Sequence, residues 1–387
     1  MAEARKKICF VLPSHWAANF GGAEFQAKCL LDELKRHPEF EIFYLARNIP
    51  SDFKPQKYLL KSVRHRLPMC SSFLLLDAPR LLAALNEISP DVIYQRVGCS
   101  YTGIAARYAM KSRCQMVWHI ASSLDVLPGK KSVSPDMVVD FLEKRALEYG
   151  IRNAQRIIAQ TREQADLLEK YYGRKPTAVI PNFHPAPQGR PIKGDRVTVV
   201  WIANLKPLKR PELFLDLAEE LGSLSGVRFV MAGRGNNGRW CKNLVLRMER
   251  EKAVEYLGER SHQEVNELLD QADILVNTSE VEGFPNTFIQ AWMREVPVVS
   301  LGIDPDGILS RYDVGIVSSD FQHLVSDTRT LIMDRELRRR MGRNSRKYAF
   351  AHHSQANAAR IVEILRETAY TNQNINGHTQ QSATANP

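Results

Sequence analysis

Hydrophobic positions along this chain come in two alternating rhythms. KICFVLPS (7–14) is a continuous apolar run, the pattern of a strand buried on both faces. GGAEFQAKCLLDELKRH (21–37) changes to helical period, with Phe25, Cys29, Leu30 and Leu34 on one face. FEIFYLAR (40–47), PDVIYQRV (90–97), CQMVWHIA (114–121) and AQRIIAQT (154–161) are further short apolar strands. TREQADLLEKYYG (161–173) predicts a helix ended by glycine, and PTAVIPNFHP (176–185) closes this half. The segment HPAPQGRPIKGDR (184–196) has linker composition.

The rhythm then restarts. Strands are predicted at 197–205, 227–233, 253–258, 273–279 and 296–302, with helices at 210–224, near 239–252, at 262–272 and at 286–295. Strands alternating with helices predict the α/β class with parallel, doubly wound sheets. Two such halves predict two Rossmann-like domains facing across a cleft. Their expected limits are 1–186 and 187–345, followed by a helix at 346–370 crossing back to the first domain. The polar end, 371–387, reads as a disordered tail.

A length of 387 residues fits two domains with real cores. The apolar stretch after MAEARKK is about six residues, too short for a secretion signal, and nothing approaches the ~20 apolar residues of a membrane span. Cys9, Cys29, Cys70, Cys99, Cys114 and Cys241 include no C-x-x-C pair and fall mostly in apolar segments, which suits reduced thiols in the cytoplasm. Lysine plus arginine exceed aspartate plus glutamate by 53 − 43 = 10, a balance that suits anionic partners.

Candidate chemistry gathers where strands end, the place where open parallel sheets bind ligands. Gly21 and Gly22 follow the first strand, allowing close backbone approach before a helix start. NLKPLKRP (204–211) sets Lys206, Lys209 and Arg210 before a helix, where ammonium groups can neutralise a diphosphate. GRGNNG (233–238) matches G-x-G-x-x-G, but on the second strand of its half; it is the basis of an alternative reading as an NAD-dependent oxidoreductase. In SEVEGFPNTFIQAW (279–292), Gly283, Phe284 and Pro285 make a turn into a helix beginning at Asn286 and Thr287, whose N–H groups can cradle phosphate. Glu282 before it and Gln290 within it can bind hydroxyls. An anion beside several hydroxyls describes a nucleotide sugar.

That stretch resembles the glutamate-x7-glutamate motif of family 4 glycosyltransferases, retaining enzymes of the GT-B fold, with Gln290 in place of the second glutamate. GGAE (21–24), VWHIA (117–121), VIPNF (179–183), LKPLK (205–209) and VEYLG (254–258) resemble further family segments in the family's order. Asn204 stands where the family usually has arginine. The resemblance implies a metal-independent hexosyltransferase that uses a nucleotide-diphosphate sugar as donor and no cofactor. It implies that His119 contacts the sugar, Lys209 holds the leaving diphosphate and Glu282 orients the sugar. Asn204, Lys206, Gly233, Leu257 and Gln290 would complete the donor site, with Gln290 on the ribose. The acceptor would be a glycan or lipid-linked group in cell-surface polysaccharide synthesis. Another GT-B enzyme, such as a nucleotide-sugar epimerase, is the alternative within the class.

DPD (304–306) imitates a metal motif but reads as a loop. KYLLKSVRHRLP (57–68) has the pattern of a helix with Lys57, Lys61 and Arg64 on one face, suited to peripheral contact with an anionic membrane at the inner face. Basic and aromatic residues do not interleave as in a nucleic-acid binder, so no such partner is expected.

Overall fold

The computed structural model describes residues 4–18, 21–65, 73–128 and 137–381. The chain divides into two compact units, one of residues 1–182 and 356–387, the other of residues 183–355.

The first unit runs β1 (Lys6–Ser14), α1 (Gly22–Leu34), β2 (Phe40–Asn48), β3 (Leu59–Ser62), α2 (Ala78–Ile88), β4 (Val92–Arg96), α3 (Ser100–Lys111), β5 (Gln115–His119), α4 (Met137–Asn153), β6 (Arg156–Ala159), α5 (Arg162–Tyr172) and β7 (Ala178–Val179). Its parallel sheet has the order β3-β2-β1-β4-β5-β6-β7. The period of two decides what each face buries. Cys9 and Val11 of β1 join a core with Leu81, Leu85, Tyr101 and Trp118. Phe10 turns the other way and stacks on Tyr44, with Tyr94 on its other neighbour strand. Each such side chain withdrawn from water contributes ~1.5–3 kcal/mol. Thr161 caps α5 by accepting from the Gln164 N–H, and Gly173 ends it in the left-handed conformation at φ 63°.

The second unit runs β8 (Val197–Ile202), α6 (Pro211–Leu221), β9 (Val227–Ala232), α7 (Arg239–Glu251), β10 (Glu255–Tyr256), α8 (His262–Gln271), β11 (Ile274–Asn277), α9 (Asn286–Trp292), β12 (Val298–Leu301), α10 (Ile308–Arg311), β13 (Gly315–Ser318), α11 (Phe321–Met333) and α12 (Arg335–His352). Its parallel sheet has the order β10-β9-β8-β11-β12-β13. Val199 and Trp201 face one core layer with Phe214 and Phe229, while Val200 faces another with Phe288 and Trp292. The last helix, α13 (Ala356–Gln381), belongs to the first unit, where it packs on α1. It continues past residue 370 into the segment read as a tail; residues 382–387 lie outside those described.

One expectation is overturned. The helix at 57–68 does not form: Leu59–Ser62 is the edge strand β3, paired in parallel with Phe43–Ala46 of β2. Lys57 adopts φ 62°, a left-handed conformation that cannot sit inside a right-handed helix. Tyr58 and Val63 are buried, and that burial outweighs the helical period of the basic residues. Lys61 is ion-paired with Glu87, and Arg64 lies exposed beyond the strand. Residues 66–68 lie outside the described residues. Among the described residues no helix is long and apolar enough to cross a membrane.

Candidate functional site

In each sheet the chain reverses its direction of strand addition at one place, and ligands bind at the carboxyl ends of strands beside such a reversal. The second unit reverses between β8 and β11. The loops following these two strands carry most of the residues singled out above.

These loops are laced together. Lys209 Nζ is ion-paired with Glu282 Oε1, their side chains 22% and 15% exposed. The same carboxylate oxygen accepts from Ser279 Oγ at 2.7 Å. Thr278 Oγ1 accepts from Trp201 Nε1 at 2.9 Å and lies 2.7 Å from the Lys209 carbonyl oxygen. The Glu280 N–H donates to the Leu208 carbonyl at 2.9 Å. Arg210 holds φ 45° between the turn Pro207–Lys209 and α6. Its guanidinium donates to the carbonyls of Thr278 and Ser279 at 2.6 and 3.1 Å. Arg210 is therefore a strap between loops, whereas Lys209 and Glu282 form a partly exposed ion pair at the strand ends. Lys206 is exposed.

The remaining predicted donor residues separate by environment. Asn204 is half-buried. Gly233 has no room for a side chain, because an added Cβ would lie 1.7 Å from the Ala203 carbonyl oxygen. That glycine is accounted for by close packing of the β9 end on the β8 end, and Gly235 likewise abuts Cys241 Sγ. Leu257 donates its N–H to the Met231 carbonyl at 2.9 Å, next to Gly258 at φ 72°. Gly283 is half-buried and Pro285 buried, and α9 starts directly at Asn286 and Thr287. Phe284 is 6% exposed, its ring packed 4.8 Å from that of His353 and 6.1 Å from that of Trp292, so its side chain serves the core. Gln290 is 3% exposed, and its Nε2 donates to Asn266 Oδ1 of α8 at 3.0 Å. Asp304 is occupied in capping: its Oδ1 accepts from the Leu309 N–H at 2.7 Å and its Oδ2 from Ser310 Oγ at 3.1 Å.

The first unit reverses between β1 and β4. Gly21 precedes α1 with an ordinary φ of −76°, and Gly22 is its first residue. His119 ends β5 and is buried. Its Nδ1 lies 2.8 Å from Tyr94 Oη and 2.9 Å from Arg96 NH1. Burial first, and the Arg96 charge second, hold the imidazole well below the ordinary histidine range, so it is neutral at pH 7. Arg96 NH2 donates to Asn182 Oδ1 at 2.7 Å. Sequence reasoning passed over Arg96, Tyr94 and Asn182. The available signal was a guanidinium closing the strand VIYQR two residues before Gly98.

Residues 182–348 match the family model "Glycosyl transferases group 1", and residues 20–185 match "Glycosyltransferase Family 4". Over 141 residues the chain is 27% identical to glycosyltransferase 1 domain-containing protein 1 of Xenopus tropicalis, covering 35% of this chain and 39% of that protein. The fold is similar to that of sucrose-phosphate synthase from Thermosynechococcus elongatus, with TM-score 0.77, 15% identity and coverage of 94% of this chain and 99% of that one. It is also similar to Anabaena HepE in complex with UDP and glucose, with TM-score 0.72, 18% identity and coverage of 94% and 100%.

Proposed function

Since this chain is a glycosyltransferase of the GT-B type, we propose that it transfers a hexosyl group, with retention of configuration, from a nucleotide-diphosphate sugar to a glycan or lipid-linked acceptor. The observation that carries the reading is the Lys209–Glu282 pair at the strand reversal of the second unit. Breaking the bond to the donor puts growing negative charge on the leaving diphosphate. A cation already fixed at that point stabilises the transition state more than the ground state, and such preorganised charge is the largest single contribution in many enzymes. Lys209 supplies it, aided by the start of α9. Glu282 exchanges its partner Lys209 for sugar hydroxyls when the donor arrives. In this way the pair keeps a half-buried cation and anion satisfied before the donor binds.

The second unit holds the nucleotide and the first the acceptor. In Anabaena HepE the bound molecules are UDP and glucose, which supports a nucleotide sugar here. The net charge of +10 favours acceptors that carry phosphate, and with them peripheral work at an anionic membrane face in the cytoplasm. No metal is required, because lysine takes over the neutralising role.

The test offers the full chain a panel of nucleotide-diphosphate sugars with phosphorylated glycan and lipid acceptors. Proton NMR reads the anomeric configuration of the first product formed. An axial product from an axial donor supports the reading. Inverted product contradicts retention, and free epimerised sugar without acceptor transfers the chain to the epimerase alternative.

A further inference from the structure

Helix α12 is dense in arginine, and its two halves treat the charge differently. Near its start the arginines have acidic neighbours: Arg338 lies 3.7 Å from Asp273, Arg339 3.9 Å from Glu336 and Arg340 3.1 Å from Asp313. Further along, Arg343 and Lys347 are exposed and make no ion pair within 4 Å among the described residues. Arg346 reaches a carboxylate oxygen, that of Glu295, only at 3.9 Å. Arg343, Arg346, Lys347 and Phe350 stand at i, i+3, i+4 and i+7, which puts them on one helix face. Like charges at that spacing destabilise a helix, so the face calls for an anion.

This face lines a cavity of about 530 Å³, closed by Glu295 from the α9–β12 connection and by Arg190 from the segment before β8. Arg190 is exposed and also makes no ion pair within 4 Å among the described residues. The walls are built tightly. Glu295 holds φ 59°, and α12 meets its backbone at Gly342, where an added Cβ would lie 2.4 Å from the Glu295 carbonyl oxygen. Arg346 NH1 donates to the Met293 carbonyl at 2.8 Å, and its guanidinium lies 4.8 Å from the centre of the Phe350 ring. That guanidinium is thus fixed in place before any ligand arrives. Glu295 precedes β12 and Arg190 precedes β8, so the cavity is at the amino ends of the strands. Lys209 and Glu282 follow the carboxyl ends of β8 and β11, at the opposite edge of a parallel sheet.

We propose that this cavity is a second anion site, separate from the donor site, which binds the phosphate group of a phosphorylated molecule. Four cations face one carboxylate, and guanidinium groups suit phosphate oxygens through paired N–H donors. The volume falls in the range of small-molecule sites, so it admits a phosphate ester with its attached group beside Phe350. A lipid headgroup and a soluble phosphorylated metabolite share this chemistry.

The experiment is isothermal titration calorimetry of pyrophosphate into the full chain carrying Lys209→Ala, which weakens the donor site, together with sedimentation of the same protein on vesicles. The vesicles are phosphatidylcholine alone or with phosphatidylglycerol added. Arg343→Gln with Lys347→Gln is then combined with Lys209→Ala. Loss of these two exposed cations is expected to weaken pyrophosphate binding, or pelleting on the anionic vesicles, roughly tenfold or more. Arg335→Gln with Arg339→Gln removes the same charge from the start of α12 and is expected to change either reading by less than about twofold. Arg190→Gln, from a different segment, is expected to weaken binding in the same sense and decides the question if the α12 pair does not fold. Sensitive vesicle binding assigns the phosphate to a lipid headgroup; sensitive pyrophosphate binding without vesicle binding assigns it to a soluble ester. Equal losses in the cavity pair and the control pair reduce the effect to net charge and overturn the proposal. Absence of binding to both probes at millimolar phosphate overturns it as well.

Discussion

Lys209→Ala separates a catalytic lysine from a strap. Lys209 pairs with Glu282, and both side chains retain some contact with solvent. Unit charges 4 Å apart at an effective dielectric constant of 20 attract by ~4 kcal/mol, an upper bound before desolvation and side-chain entropy are subtracted. Net contributions of hydrogen bonds to charged groups are ~1.5–3 kcal/mol. The mutation leaves Glu282 with Ser279 Oγ at 2.7 Å and with access to water, so the stability loss belongs at the low end, ~1.5 kcal/mol. The loss in the transition state is larger, because the ammonium then faces charge developing on a leaving diphosphate. At ~2 kcal/mol it amounts to roughly thirtyfold in turnover. The assay is initial-rate release of nucleoside diphosphate at saturating donor, beside urea unfolding of the same preparations. Turnover within about threefold of wild type, together with the stability loss, would refute the catalytic role and leave Lys209 as a tie between loops.

Other consequences follow from buried groups. Gln290→Glu puts a carboxylate facing Asn266 in a site only 3% exposed; it should cost ~1–3 kcal/mol in urea unfolding, and an unchanged midpoint would show that the side chain is free to reach solvent. His15 is pushed down to about 4 by burial first and Lys35 second. Its folded pKa lies below its unfolded value near 6.5, so its contribution is whole above pH 6.5 and lost as pH falls toward 4. His15→Gln should flatten that part of the acid limb in pH-dependent unfolding, and an identical limb in both proteins would contradict the assignment. Lys193 Nζ donates to the carbonyls of Ala272 and Arg294, and burial lowers it to about 8 despite nearby Asp273. Its folded pKa is depressed from 10.5, so wild-type stability relative to Lys193→Met should rise as pH increases from 8 toward 10.5. A constant difference would mean that the amine is not desolvated.

The alternation of rhythms was a reliable guide because parallel strands covered on both faces have few ways to be polar. Every predicted strand in the second half corresponds to one in the sheet, down to the short pair Glu255–Tyr256. The edge strand β3 escaped because its backbone pairing with β2 decides its structure, while its exposed side chains follow a helical period by accident. Lys209 and Glu282 were legible because both follow apolar runs, and adjacent parallel strands bring such ends together. The environments of Phe284 and Gln290 were not legible, since a motif shows which residue stands near a ligand and not which way it turns. Arg96 was missed for a related reason: a charge at a strand end looks like solvent exposure until the neighbouring strand contributes His119.

The central claim is that the strand reversal of the second unit receives a nucleoside diphosphate through Lys209. Isothermal titration calorimetry of UDP, GDP and ADP into the full chain and into Lys209→Ala tests it most directly. The account predicts that at least one of the three binds wild type at one site per chain, and that its Kd rises roughly tenfold to thirtyfold in the variant, equivalent to ~1.4–2 kcal/mol. Equal affinity in the two proteins, or no binding of any of the three at millimolar concentration, would contradict it.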